Sequence, residues 1–192
     1  MIPHTRRFAP LLLATALLAS ACSGESGGGQ AAIGGPFHLV DQHGQARDEG
    51  ILKGKWSAVY FGYTFCPDVC PTTLQTLAET QALLGGAAKD LQVVFITVDP
   101  ERDGPAQMNS YLSNSAFPKG TIGLTGTPAQ IAGVAKAWKL FYQKQGSGSG
   151  YEVQHTSAIY LMDPKGRFKT VLSADLPPKD EARQISQAMA EG

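Results

Sequence analysis

Cys66 and Cys70 sit in the run Tyr60-Phe61-Gly62-Tyr63-Thr64-Phe65-Cys66-Pro67-Asp68-Val69-Cys70-Pro71, with three residues, Pro67, Asp68 and Val69, between them. The residues before the pair are β-branched and aromatic, and those after Pro71 carry leucines at helical spacing. The pair is therefore predicted at a strand-to-helix turn. The unpaired N–H groups and positive dipole end of a helix start favour the thiolate, which is both the nucleophile and the metal-binding form of cysteine. A redox pair of the thioredoxin kind has two residues between its cysteines. Three leave a disulfide feasible and also let both sulfurs converge on one ion. Soft thiolates select Cu(I), although zinc accepts them too, and two cysteines alone make an incomplete zinc site. A structural staple suits the pair poorly, because disulfide stabilisation grows with the loop that is closed and this loop is tiny.

A third donor would have to be a histidine. His4 falls in an N-terminal segment that reads as an export signal, and His38 and His43 belong to a predicted opening hairpin, where surface or core roles suit them. His155 lies between the insertion Gly146-Ser147-Gly148-Ser149-Gly150, which has no apolar anchor of its own, and a strand starting at Ser157. It reads as part of a mobile loop that would bring its imidazole to the cysteine end of the sheet. Taken alone, His155 is as readily a structural histidine.

The elements that must position these groups follow from pattern. Phe37 to Asp48 reads as a hairpin turning at Asp41–Gly44, and Lys55–Gly62 as a buried strand. A helix begins at Pro71, with Leu74, Leu77, Leu83 and Leu84 placed on one face, and stops at Gly85-Gly86. Leu91–Val98 is a near-continuous apolar run, as expected of an interior parallel strand. Helices are predicted from Pro105 to about Asn114 and from Pro128 to Trp138, the second capped by Thr127, with Leu140–Gln143 returning as a strand. Ser157–Met162 and Arg167–Leu172 flank the turn Asp163-Pro164-Lys165-Gly166, and a last helix spans Pro178–Ala190. The expectation is an α/β, thioredoxin-like sandwich with an added N-terminal β-hairpin, occupying residues 36–192.

Arg6 and Arg7, the apolar run Leu11–Leu18 and the small residues Ala19, Ser20 and Ala21 mark residues 1–21 as a signal peptide. Cys22 follows, before a Gly-rich tether to residue 35, and reads as a lipidation site that holds the domain at the periplasmic side of a bacterial inner membrane. Ala19-Ser20-Ala21 also satisfies a soluble cleavage site, which would leave the protein free in the periplasm. With 16 Lys and Arg against 16 Asp and Glu the net charge is zero, so no electrostatic case exists for nucleic acid.

Three stretches in order, YFGYTFCPDVCPTTL (Tyr60 to Leu74), VDPERD (Val98 to Asp103) and HTSAIYLMDPKGRF (His155 to Phe168), resemble the signatures of the Sco, or SenC, family of copper proteins. The resemblance extends from about Phe37 onward. It implies one copper, Cu(I) or Cu(II), held by Cys66, Cys70 and His155, and a metallochaperone, not a turnover enzyme, that serves the dinuclear copper centre in subunit II of cytochrome c oxidase. The partners it implies are that subunit, a second periplasmic copper chaperone and a thiol reductase. Asp99 aligns with an acidic residue near the family's site and is expected beside the donors, not on the ion. Where family members often have Asp before the histidine, this chain has Gln154, which leaves the partner that orients the imidazole undefined. The same cysteines would serve a periplasmic thiol-disulfide reductase acting on the recipient's cysteines, which has no need of His155. A peroxiredoxin-like peroxidase, suggested by Thr64 near Cys66, fits less well with a second cysteine so close.

Overall fold

The computed structural model describes Met1 and residues 33–192, so the predicted signal, Cys22 and most of the tether lie outside the described residues. Along the chain the elements are β1 (His38–Asp41), β2 (Ala46–Asp48), β3 (Trp56–Gly62), α1 (Val69–Leu84), β4 (Leu91–Thr97), α2 (Pro105–Leu112), β5 (Ile122–Thr125), α3 (Pro128–Ala137), β6 (Tyr142–Gln145), β7 (Glu152–His155), β8 (Ala158–Met162), β9 (Phe168–Ser173) and α4 (Pro178–Ala190). Among the described residues no helix is long and apolar enough to cross a membrane.

Seven strands form one sheet in the order β2-β1-β5-β4-β3-β8-β9, and β6 pairs with β7 as a separate ribbon. The apolar runs of β3 and β4 lie parallel at its centre, in register from Trp56↔Leu91 to Gly62↔Thr97. β5 continues the parallel set on β4, while β1 and β8 flank it antiparallel. β2 returns beside β1 to form the hairpin at the N-terminal edge. Because side chains alternate across a strand, Tyr60 and Gly62 face α1 and Phe61 faces the other way. Phe61 meets Trp138, at the end of α3, edge to face at 5.4 Å, and Tyr160 of β8 closes that aromatic group. α1 and α2 cover the opposite face, α2 through Tyr111 against Phe95. Helices on both faces of the sheet explain why its central strands are apolar throughout.

The structure departs from the sequence-based expectation in four places. α1 starts at Val69, so Cys70 lies inside its first turn; Pro71 fits there because the N–H it lacks has no helical acceptor. Leu83 is 51% exposed: six residues on from Leu77 it has turned well off the buried face of Leu74 and Leu77. β5 has only four residues and contains Gly123, where a Cβ would run into Leu112 and Met108 of α2. The Gly-Ser insertion joins β6 to β7, and the residues that follow it, Tyr151 and Val153, are buried and anchor it.

α4 packs against α1 through one buried polar contact, in which the Thr80 hydroxyl donates to Glu181 at 2.8 Å. The second carboxyl oxygen of Glu181 is buried without a partner, and burial pushes the carboxyl up to about 7, against the opposing pull of Thr80. The folded protein therefore holds this proton at pH values where the unfolded chain has lost it. That contribution to stability is complete below the ordinary value of 4.5 and is lost as pH rises through about 7. Over that interval the loss is about 3 kcal/mol. Denaturant unfolding at a series of pH values should show the decline in the parent protein and a flatter profile in Glu181→Gln.

Candidate metal centre

β3 delivers the chain to the carboxyl end of the parallel sheet, and the loop after Gly62 carries Cys66 to the start of α1. This end of an open α/β sheet is where ligand sites form. Cys70 is fully buried, with its sulfur over β3. A Cβ on Gly62 would stand 2.9 Å from that sulfur and 2.8 Å from the Phe95 ring, so the strand must carry glycine where the helix rests on it. Cys66 is half-buried on the loop, and its Sγ accepts the Cys70 backbone N–H at 3.4 Å. Both cysteines are free.

His155 is the last residue of β7 and pairs with Tyr142 of β6, so it is held by a ribbon and not by the mobile loop expected from sequence. Next to it, Thr156 donates its backbone N–H to Phe141 at 3.0 Å, and its hydroxyl accepts from the Phe141 N–H at 3.2 Å. The His155 Nε2 stands 3.5 Å from the Cys70 sulfur, and Nδ1 stands 3.1 Å from the backbone carbonyl of Thr156. With its proton on Nδ1, His155 donates to that carbonyl and turns the Nε2 lone pair toward the sulfur. The orienting partner left undefined by Gln154 is thus a main-chain oxygen. Tyr63 and Tyr60 stand edge-on to the imidazole, with ring centroids 6.1 and 6.3 Å away.

The two cysteines differ in protonation. The neighbouring Cys70 side chain, with the backbone N–H groups of Cys70 and Asp68, holds Cys66 far below the ordinary thiol range despite the cost of burial. The Cys66 sulfur beside it, together with burial, pushes Cys70 far up. The two sulfurs titrate as a coupled pair, the first proton leaving more readily than the second.

The VDPERD stretch supplies the supports. Asp103 is fully buried and accepts from the Thr64 backbone at 2.9 Å, the Thr64 hydroxyl at 2.6 Å and the Thr97 hydroxyl at 2.6 Å, which ties the cysteine loop to the end of β4. Asp99 accepts from the Tyr151 hydroxyl at 2.7 Å and from the Arg102 Nε, and its hydrogen bonds go to these groups and to none of the three donors. Sequence reasoning missed Tyr60, Tyr63, Arg102 and Asp103. The usable signal, for Arg102 and Asp103, was five charged or turn-forming residues from Asp99 to Asp103 at the end of a buried strand, where a parallel sheet gathers its ligands.

Two donors at about 2.0 and 2.3 Å from one tetrahedral ion stand about 3.5 Å apart. The Cys70–His155 pair already has this separation. Among the described residues no three His, Cys, Asp or Glu side chains are closed around one point. Two features favour closure on an ion. The donor set is two sulfurs and an imidazole, which suits a soft or borderline metal. The Tyr60 hydroxyl lies buried near Cys70 without a hydrogen bond, and a Cys70 thiolate would give it an acceptor.

Residues 25–190 match the family model described as SCO1/SenC. A SCO2-like protein of Rickettsia felis is 40% identical over 151 residues, which covers 77% of this chain and 73% of that protein. Yeast SCO1 is 38% identical over 163 residues, 83% of this chain and 55% of that longer protein. Among solved structures, Bradyrhizobium japonicum ScoI with copper bound superposes with a TM-score of 0.73 at 43% identity, covering 82% of this chain and 99% of that one. Arabidopsis thaliana ScoI with copper bound gives 0.79 at 36% identity, covering 84% and 100%.

Proposed function

This chain belongs to the SCO1/SenC family, and we propose that it carries one copper ion as cargo on Cys66, Cys70 and His155 and hands it over for assembly of the dinuclear copper centre of cytochrome c oxidase. The observation that carries this reading is the His155 Nε2, held 3.5 Å from the Cys70 sulfur by a bond from the other ring nitrogen to Thr156. A thiol-exchange protein has no use for a third donor fixed in this way. The copper-bound relatives from Bradyrhizobium japonicum and Arabidopsis thaliana share the fold and support the choice of metal.

The residues divide the work by burial. Cys66 is the more open sulfur and its thiol is held well down, so it meets both incoming copper and the ligands of a recipient first. Cys70 must release its proton as the ion binds, which couples loading to pH. Its burial, with the fixed imidazole beside it, leaves Cys70 and His155 as the last donors to let go. Copper moves by exchange of ligands with no net chemistry, so the protein is a chaperone and not an enzyme. We place it at the periplasmic face of the inner membrane, tethered through a lipidated Cys22. Mass analysis of the mature N-terminus should show acylated Cys22, and an unmodified terminus would make the protein soluble in the periplasm.

A second reading, a thiol-disulfide reductase of the recipient's cysteines, is favoured by one observation: two free cysteines side by side, the more open one with its thiol held low, are a pair that can open a disulfide by exchange. Metal analysis of protein purified with its thiols reduced separates the two. One copper per chain is expected, and tight retention of zinc in its place would overturn the copper assignment.

A further inference from the structure

Tyr151 follows the exposed Gly-Ser turn, yet it is 8% exposed, and three groups meet it there. Its hydroxyl donates to Asp99 at 2.7 Å. The Arg102 guanidinium lies 3.7 Å from the ring centroid and the Lys144 ammonium 3.8 Å from it. Each cation is held by an acid from the loop after β4: Arg102 by Asp99, and Lys144 by Glu101 at 2.6 Å. Arg102 also reaches the Ser149 carbonyl at 3.4 Å, within the turn itself.

Arg102 faces the other way as well. Its guanidinium lies 4.7 Å from the Phe65 ring centroid, next to Cys66, and 5.7 Å from that of Tyr63, whose ring stands edge-on to His155. A single side chain therefore touches the cysteine loop and the ribbon that ends in His155. The ribbon β6–β7 is a two-stranded sheet outside the main one, and such a ribbon is marginal unless something packs on it.

We propose that Tyr151, clasped by Arg102, Asp99 and Lys144, is a positioning residue that holds the β6–β7 ribbon against the cysteine loop and so fixes the His155 Nε2 beside the Cys70 sulfur. The inference rests on the copper reading only for its consequence, the retention of Cu(II), because the clasp itself is a property of the metal-free protein. Without it the ribbon stays paired for part of the time, and the imidazole is lost as a dependable third donor. Cu(II), which depends on the imidazole more than Cu(I) does, is the state affected.

The test uses the full domain with Tyr151→Leu, which removes ring and hydroxyl, and Tyr151→Phe, which keeps the ring between the two cations. In the metal-free protein, amide exchange in Tyr142–Gln145 and Glu152–His155 should speed up at least tenfold in Tyr151→Leu, while exchange in β3 and β4 is unchanged. Cu(II) affinity should fall about tenfold, as the loss of two cation–π contacts implies, with Cu(I) affinity held and with substantial recovery in Tyr151→Phe. In a His155→Ala background, adding Tyr151→Leu should change Cu(II) affinity less than twofold, since the clasp acts through His155. Unchanged exchange in the ribbon, or a full tenfold loss persisting without His155, overturns the clasp. A parent protein that binds no copper overturns the functional reading instead and leaves the exchange result to decide the clasp. If Tyr151→Leu fails to fold, Arg102→Met takes its place, with the same exchange and affinity outcomes required.

Discussion

Cys70→Ser, purified with thiols reduced, is expected to hold no copper where the parent chain holds one ion. The serine oxygen is a hard donor with a far higher pKa than a thiol, and it would sit fully buried against β3, where no charge can be placed cheaply. Two soft donors would remain, one of them on the open loop. Cys66→Ser should also lose the ion, for a different reason: it removes the more open sulfur, the one whose thiol is held low, and although Cys70 then deprotonates more readily it is left with the imidazole alone. Element analysis reads the loss, and melting temperature checks the fold, since serine nearly matches cysteine in volume. Copper retained at one ion per chain in either variant would remove the cysteines from the site.

His155→Ala carries the second large effect, because it divides the two functional readings. The substitution removes an imidazole whose Nε2 faces Cys70 and leaves both thiols, the helix start and the buried supports of the loop in place. Cu(II) should bind at least a hundredfold more weakly, since the borderline cupric ion relies on nitrogen, while Cu(I) remains on two sulfurs. Disulfide formation and exchange between Cys66 and Cys70 should continue. A chaperone so altered fails to support oxidase assembly at limiting copper. If assembly were normal, copper delivery would be the wrong activity and thiol reduction the right one.

The sequence by itself determined the chemistry and the frame. A strand rich in β-branched and aromatic residues, two cysteines and a proline at a helix start are local signals, and α1, β3 and β4 form where those signals lie because local propensity and the burial pattern agree. The capped start of α3 at Thr127 and the bounds of α4 were legible for the same reason. Local signals failed where an element is stabilised by what it packs on. β5, four residues long and broken by glycine, exists because β4 and β1 pair with it and α2 covers Gly123. β7 follows a Gly-Ser run and reads as a loop, but Tyr151 docks between two cations supplied by Arg102 and Lys144, far off in sequence or across the ribbon.

The site divides along the same line. Which residues can bind a soft ion is a matter of residue type, and Cys66 and Cys70 carry that information in one dimension, whereas His155 taken alone reads as readily structural and became a candidate through its company with the cysteine motif and the family resemblance. That His155 stands 3.5 Å from a cysteine 85 positions away, that Thr156 orients its ring, and that Cys66 is pulled down while Cys70 is pushed up were decided by the tertiary structure. Distance and desolvation depend on which surfaces the fold brings together, and no spacing along the chain encodes them.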